Sequence, residues 1–464
     1  MPKQAISFEL NGKKETISNI SPTTSLLEYL RSSGNTATKE GCGDGDCGAC
    51  TVAVINEDID GKKQYYAMNS CLMPIATIDG KKLYTAEGIA DKNLHPVQEA
   101  MVETGGSQCG YCTPGFVMSM FASHYSATKL DDESIEGNLC RCTGYMAIRK
   151  AALQTGKPRT NDKFAKKLKT KSKIAKSLEL DLKDHLYFSP ITLEEVFAYL
   201  AKYDDAVLIA GGTDLGLDLS NKRKDFKVLI SVENLAELKQ INETTEYIEV
   251  GAAIPLSQLE VKLNGKFAVL DSMLKFFAAR QIKNRATIGG NIGTASPIGD
   301  LLPVFFALDA TVNLQSITGK RSILLAEYFT GYRQTKKANN EVIVSVTIPK
   351  KEYGVKRLNY SYKIAKRGTD DISIVASSYL IDLDKNNKIV HARLAYGGVA
   401  ATPIRANKVE DYLLNKEWNE KTILKAKEKL LKAFNPLNDL RASAEYRNKI
   451  VANLFEKFFV EVKA

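Results

Sequence analysis

The ten residues Gly41-Cys42-Gly43-Asp44-Gly45-Asp46-Cys47-Gly48-Ala49-Cys50 hold three cysteines spaced C-x4-C-x2-C, and a fourth, Cys71, follows after twenty residues. Two sulfide-bridged irons need four converging thiolates. The spacing is one that [2Fe–2S] clusters use, with a shorter gap to the fourth cysteine. A loop wrapped round so small a group must bring its backbone into contact with it. Glycine permits the positive φ this requires and lets N–H groups face the sulfurs. The alternatives are zinc and a disulfide staple. Zinc sites usually pair C-x2-C units, and a disulfide leaves Gly41, Gly43, Gly45 and Gly48 unexplained. Gly43, Gly45 and Gly48 also spell G-x-G-x-x-G. A dinucleotide fingerprint needs a strand before it and a helix after it, and here cysteines interrupt it, so that match is rejected.

All eight cysteines lie between Cys42 and Cys142. Clustering of this kind in a cytosolic chain points to metal rather than disulfides. The remaining four form C-x2-C in Gln108-Cys109-Gly110-Tyr111-Cys112-Thr113-Pro114 and C-x-C in Cys140-Arg141-Cys142. C-x-C is cramped as a zinc chelate but can sit on one iron, so a second four-thiolate cluster is expected, with zinc as the alternative.

Two further stretches are rich in glycine and small polar side chains. Ala206-Val207-Leu208-Ile209-Ala210-Gly211-Gly212-Thr213-Asp214-Leu215 reads as a buried strand running into a turn. Such a turn exposes successive N–H groups, as phosphate-binding nests do, or it is an ordinary strand–turn. The second stretch runs from Arg280 to Asp300 through Thr287-Ile288-Gly289-Gly290-Asn291. Two such loops suggest a large polyphosphate ligand such as a dinucleotide cofactor.

The elements that must position these residues follow from local pattern. Residues 5–20 predict a hairpin turning at Asn11-Gly12. Ser25 and Glu28 form a capping box for a short helix that Gly34 ends. Strands are expected at 52–55, 65–68 and 75–78, giving a small plant-type ferredoxin domain to about residue 85. From residue 86 the period becomes helical, with helices starting near His95, at 114–126 and near 131–138. The two cysteine pairs then lie at helix ends and meet if those helices pack antiparallel. Residues 156–184 are Lys-rich and read as a linker. A helix starts near Ser189. Beyond residue 350 strands are expected near 373–383 and 392–397, and helices over 407–434 and 443–460.

The chain has 464 residues, enough for two to four domains; 44% are hydrophobic, 25% are charged, and the net charge is +10. Its lysines gather around 157–176, without the aromatic interleaving that a nucleic-acid face would show. No apolar run has the length of a membrane helix and the N-terminus has no signal core, so a cytoplasmic location is expected. His95, His124, His185 and His391 are scattered and read as structural. No G-x-S-x-G elbow or P-loop is present.

Taken together, GCGDGDCGAC, QCGYCTPG, NLCRCTGY, GGTD and ATIGGNIGTASPIGD resemble the molybdenum hydroxylases, over essentially the whole chain and in the family's domain order. The likeness is closest to the small iron–sulfur/flavin subunits of bacterial xanthine-oxidising members. It implies an α+β multidomain fold. A β-grasp ferredoxin-like domain (1–85) precedes an all-α [2Fe–2S] helical domain (86–155) and the linker (156–184). An α+β FAD-binding domain of the vanillyl-alcohol-oxidase/CO-dehydrogenase-flavoprotein type (185–350) and an α+β C-terminal domain (351–464) follow.

The resemblance implies that Cys42, Cys47, Cys50 and Cys71 ligate one cluster, and Cys109, Cys112, Cys140 and Cys142 the other. It implies FAD contacts from Leu208, Ile209, Ala210, Gly211, Gly212, Thr213, Asp214 and Leu215. Further FAD contacts would come from Phe277, Thr287, Ile288, Gly289, Gly290, Asn291, Asp300, Ile343 and Lys363. Plain core packing is the alternative for Phe277. Gln108 matches a glutamine that faces the molybdenum cofactor across a subunit interface. The chain stops at Ala464, where single-chain members continue into a molybdopterin domain. A large molybdopterin-binding partner subunit, in a heterotetramer with two of each, is therefore expected, and no residue for substrate hydroxylation is expected in this chain. Electrons would pass from molybdenum through both clusters to FAD and on to NAD. Asp370-Asp371 reads either as a solvated turn or as part of the NAD approach.

Fusion of both cluster domains to the flavin domain favours the xanthine-oxidising branch over aldehyde, nicotinate or CO dehydrogenases. A stand-alone flavin–ferredoxin reductase and a zinc-stabilised interaction protein are the rivals from other classes.

Overall fold

The computed structural model describes residues 2–90, 92–126, 130–158, 162–170 and 176–462. The chain divides into two compact units. One comprises Met1–Ala236, Pro255–Gln258 and Ala278–Thr287; the other comprises Glu237–Ile254, Leu259–Phe277 and Ile288–Ala464.

In the first unit the N-terminal hairpin forms as its pattern predicts. Ile6–Leu10 pairs antiparallel with Lys13–Ile17, and Asn11 (φ 52°) and Gly12 (φ 84°) make the turn. Among the described residues the sheet has five strands, ordered Lys13–Ile17, Ile6–Leu10, Lys82–Tyr84, Thr51–Glu57 and Lys63–Asn69. The central pair, Ile6–Leu10 with Lys82–Tyr84, is parallel, as a β-grasp requires. Helix Leu26–Ser32 is capped by Ser25, whose Oγ accepts from Glu28 N–H at 3.1 Å.

The strand expected at 75–78 is instead a 3-10 turn, Ile75–Ile78, with Thr77 N–H bonded to Pro74 O at 3.0 Å. All four of its residues are buried. A short apolar run buried on every side carries no period to separate strand from helix.

The helical part packs Pro96–Glu103 against Thr113–Ser126 and Met146–Gln154. The helix expected near 131–138 reduces to one 3-10 turn, Asp132–Ser134. Beyond it the backbone is irregular because Leu139 N–H bonds Cys47 O at 3.0 Å rather than a helical neighbour. Both cysteine pairs consequently precede helix N-termini, Thr113–Ser126 and Met146–Gln154, rather than one pair ending a helix.

The Lys-rich segment is not simply a linker. Helix Lys163–Leu168 is capped by Asp162 and buries Phe164, whose carbonyl accepts from Tyr65 Oη at 3.1 Å. Residues 159–161 and 171–175 of that segment lie outside the described residues. Its end, Leu178–Leu182, is a strand. Among the described residues the second sheet of this unit is ordered Leu178–Leu182, His185–Ser189, Val228–Ser231 and Val207–Ile209. One core unites the two sheets: Ile6, Phe8 and Leu10 pack with Leu180, Leu182, Tyr187, Ile209 and Leu229.

The second unit has an antiparallel sheet ordered Ile241–Glu243, Tyr247–Gly251, Val342–Pro349, Thr311–Ser316 and Gly319–Leu324, counted among the described residues. A further sheet runs Lys356–Ile364, Val375–Leu383, Ile389–Gly397 and Ile404–Arg405. The helix expected over 407–434 is two helices, Asn407–Leu413 and Glu420–Leu430. The break falls where Asn415 (φ 63°) donates its N–H to Ile389 O and Trp418 turns into the core against Phe455, Phe458 and Phe459 of helix Ala444–Glu461. No helix among the described residues is long and apolar enough to cross a membrane.

Candidate iron–sulfur and flavin sites

The loop from Gly41 to Cys50 turns on Gly43 (φ 73°), Gly45 (φ 85°) and Gly48 (φ 66°), conformations that L side chains avoid. At Gly41 the need is space, since a Cβ would stand 2.7 Å from Cys47 Sγ. The four thiols meet in twos. Cys50 and Cys71 are buried with their sulfurs 3.4 Å apart. The N–H of Cys42 lies 3.3 Å from Cys47 Sγ, and the N–H of Cys47 lies 3.2 Å from Cys42 Sγ. Hydrogen bonding between these two thiols brings Cys47 down to about 6 and pushes Cys42 up. Likewise Cys71 lowers Cys50 and is itself raised.

The thiolate is the form that ligates metal, and each pair brings two sulfurs together where one iron would take both. Among the described residues no three His, Cys, Asp or Glu side chains close on a single ion. Thiols in twos, with N–H groups aimed at sulfur, suit one pair per iron of a dinuclear cluster better than a mononuclear zinc site.

The second set repeats the arrangement. The Cys112 thiol hydrogen-bonds Cys140, and Cys109 hydrogen-bonds Cys142. Cys140 Sγ faces Thr143 Oγ1 at 3.2 Å and the N–H groups of Cys142 and Thr143 at 3.4 and 3.5 Å. Burial works against its ionisation, but the bonds from Thr143 and Cys142 outweigh it and lower the thiol. Cys109, Cys142 and the neighbouring Gln108 are exposed, unlike Cys50 and Cys71. The second set therefore opens to solvent at Cys109 and Cys142, whereas the first has no exposed thiol: Cys50 and Cys71 are buried and Cys42 and Cys47 half-buried.

The flavin candidates fall in both units. In the first, strand Val207–Ile209 delivers Leu208 to Leu215 into a turn at Gly212 (φ 74°). A Cβ on Gly211 would stand 1.7 Å from the carbonyl oxygen of Arg285. Gly211→Ala should therefore displace one of two backbones, cost at least 1–3 kcal/mol on the order of other overpacked sites, and yield protein with a lower melting temperature and little bound flavin. Full flavin retention in the alanine variant would contradict this close approach. Arg285 was not singled out from sequence. It is buried, gives Nε–H to Gly211 O at 2.7 Å and pairs with Glu233 at 3.3 Å, which also holds Lys81 at 2.7 Å. Thr287, also buried, bridges Pro255.

In the second unit Ile288 begins helix Ile288–Thr294, which carries Gly289, Gly290 and Asn291. Gly289 N–H bonds Ala252 O at 2.9 Å, and a Cβ there would meet Ala252 Cβ at 2.7 Å. Asn291 Oδ1 is buried without a hydrogen-bond partner among the described residues, which fits an acceptor reserved for a ligand. Asp300 pairs with Lys363 at 2.9 Å, its other oxygen accepts from Ser373, and Lys363 also reaches Phe276 O at 3.2 Å. Phe277 and Ile343 are each 9% exposed. Asp371 accepts from Arg367 N–H at 2.9 Å, and Asp370 has φ 63°, so this turn is locally tied.

The sequence comparisons agree with this division of labour. Residues 8–76 match a 2Fe-2S iron-sulfur cluster binding domain, and residues 85–153 a [2Fe-2S] binding domain. Residues 178–351 match the FAD binding domain in molybdopterin dehydrogenase, and 360–462 the CO dehydrogenase flavoprotein C-terminal domain. The chain belongs to the molybdenum hydroxylase family. It carries the iron–sulfur and FAD portion of such an enzyme.

Among molybdenum hydroxylases, xanthine dehydrogenase of Emericella nidulans is 32% identical over 98% of this chain and 38% of its own length. Xanthine dehydrogenase 1 of Arabidopsis thaliana is 33% identical over 98% of this chain and 39% of its own. The chain thus spans about two fifths of the length of these curated relatives. A solved carbon monoxide dehydrogenase from Hydrogenophaga pseudoflava aligns with TM-score 0.55 and 25% identity over 58% of this chain and 94% of its own. Quinoline 2-oxidoreductase from Pseudomonas putida 86 aligns with TM-score 0.54 and 25% identity over 59% and 95%.

Proposed function

We propose that this chain is the electron-transfer subunit of a xanthine dehydrogenase, working with a large molybdopterin-binding partner in a cytoplasmic heterotetramer and reducing NAD. The observation that carries the reading is the match to xanthine dehydrogenases over 98% of the chain, with both cysteine sets ahead of the flavin domain. Bound at these sites, each cluster carries one electron at a time and the flavin joins single electrons into the two-electron reduction of NAD.

The chain's own residues hold, orient and insulate. Cys42, Cys47, Cys50 and Cys71 would hold iron where no thiol is exposed, while Cys109, Cys112, Cys140 and Cys142 would hold it where two thiols face solvent. N–H groups at Cys42, Cys47, Cys142 and Thr143 point at sulfur and favour its negative charge. In the flavin domain, Gly211 to Leu215, Thr287 to Asn291, Phe277, Asp300, Ile343 and Lys363 are the proposed FAD contacts. Arg285 fixes the first of these loops from behind.

The open cluster surface is the proposed partner face. It lies on the same small domain as an apolar groove lined by Leu94, Met101, Val102, Pro114 and Val117. Val102 and Met146 are 70% and 69% exposed. A sibling hydroxylase is the second reading, favoured by the likeness of this chain to solved carbon monoxide dehydrogenase and quinoline 2-oxidoreductase structures.

The test is anaerobic addition of xanthine to the natively co-purified complex, followed by visible spectroscopy. Bleaching reversed by NAD is the expected result. Bleaching by dithionite but not xanthine would move the substrate to a sibling enzyme. A colourless preparation, or one with no large partner and no molybdenum, would overturn the reading.

A further inference from the structure

Gln281 belongs to the short helix Arg280–Lys283, in the segment that leads to Thr287, yet its side chain serves the iron–sulfur part of the same unit. It is buried, and its Nε2 lies 3.0 Å from Ser119 Oγ, 3.1 Å from Asn138 Oδ1 and 3.2 Å from Gly137 O. Two amide hydrogens are shared among these acceptors. Ser119 Oγ donates to Asn138 Oδ1 at 2.6 Å, and Asn138 Nδ2 donates to Gly48 O at 2.9 Å.

This network ends at both cysteine sets. Gly48 follows Cys47 directly, and Asn138 stands two residues before Cys140. Between them Leu139 N–H bonds Cys47 O at 3.0 Å, joining the residue before one ligand to the carbonyl of another. The approach is closed by glycine on three sides. A Cβ on Gly48 would stand 2.1 Å from Gly137 O, one on Gly115 2.4 Å from Gly48 O, and one on Gly137 2.0 Å from Gln281 Oε1. Buried networks of this kind fix a geometry when every member is satisfied.

We propose that Gln281 is a positioning residue for electron transfer between the two clusters. It reaches from the flavin domain to lock the Cys42–Cys50 loop and the Cys140–Cys142 loop in one register, and so sets the separation and electronic coupling of what they hold. This rests on the reading that both cysteine sets bind [2Fe–2S] clusters. Electron tunnelling falls steeply with distance, so a small slip of one loop on the other changes the rate without removing a ligand.

The test uses the complete chain with its natural partner and compares wild type with Gln281→Met, which keeps the length and removes the donors. Iron and flavin content are measured first. Low-temperature EPR of the dithionite-reduced protein then reads the mutual splitting of the two cluster signals, and rapid freeze-quench reads their equilibration. The expected result is unchanged iron and flavin, an altered splitting, and equilibration slowed several-fold. Unchanged splitting and rate with both clusters present would overturn the proposal. Should Gln281→Met purify without a cluster, Ser119→Ala, which removes an acceptor for Gln281 and a donor to Asn138 and leaves every thiol, takes its place under the same two outcomes. Wild-type protein lacking two [2Fe–2S] signals would instead overturn the underlying site reading.

Discussion

Cys71→Ala should purify with about half the iron of the wild-type chain, because one of two dinuclear clusters is lost. Cys71 has no access to solvent through which water could complete the iron, its sulfur lies 3.4 Å from that of Cys50, and its neighbour Leu72 shares the same small core. The loss should therefore be of one cluster and of packing together. One of two [2Fe–2S] EPR signals should vanish, and the melting temperature should fall. Cys142→Ala makes the informative partner experiment. That cysteine is exposed, so the other EPR signal should vanish with little change in melting. If both signals persist in either variant, or if the same signal disappears from both, the assignment of four thiols to each cluster fails.

Asp300→Ala should lower the melting temperature by roughly 10 °C. The carboxylate and the Lys363 ammonium stand 2.9 Å apart, 9% and 3% exposed, and Ser373 adds a further bond. Removing one member of such a pair leaves a buried charge without its partner and costs about 3–5 kcal/mol, which for two hundred residues or so corresponds to that shift. Flavin retention separates structure from binding. Asp300→Ala with Lys363→Met removes both charges and should recover most of the stability. If Asp300 and Lys363 contact FAD, the double variant stays deficient in flavin although it melts near wild type. A double variant with normal flavin content would leave the pair a purely structural role.

Local signals were the legible ones. The hairpin at Asn11-Gly12, the Ser25 cap and the pairing of Cys42 with Cys47 depend on residues a few positions apart, and the folded chain shows each. The sites' supporting residues depend on distant partners. Gln281 and Asn138 are separated by 143 positions, and Arg285 and Gly211 by 74. A polar residue in a glycine-rich stretch gives no sign of which distant carbonyl it will meet. The strand expected at 75–78 fails for a different reason: Ile75, Ala76, Thr77 and Ile78 are all buried, so no exposed face sets a period. In the Lys-rich segment, charge hid one anchoring aromatic, Phe164, and the alternation of Leu178, Leu180 and Leu182.

That last segment bears on how such a chain can be divided. Leu180 and Leu182 share a core with Ile6, Phe8 and Leu10, and Lys3 N–H bonds Glu179 O at 2.7 Å. A gene severed at the lysines, where composition invites the cut, would yield two products that each expose half of one hydrophobic interior. Split there, the iron–sulfur fragment and the flavin fragment would each depend on the other for a dry interior, so expressing the two together is the way to recover both in folded form.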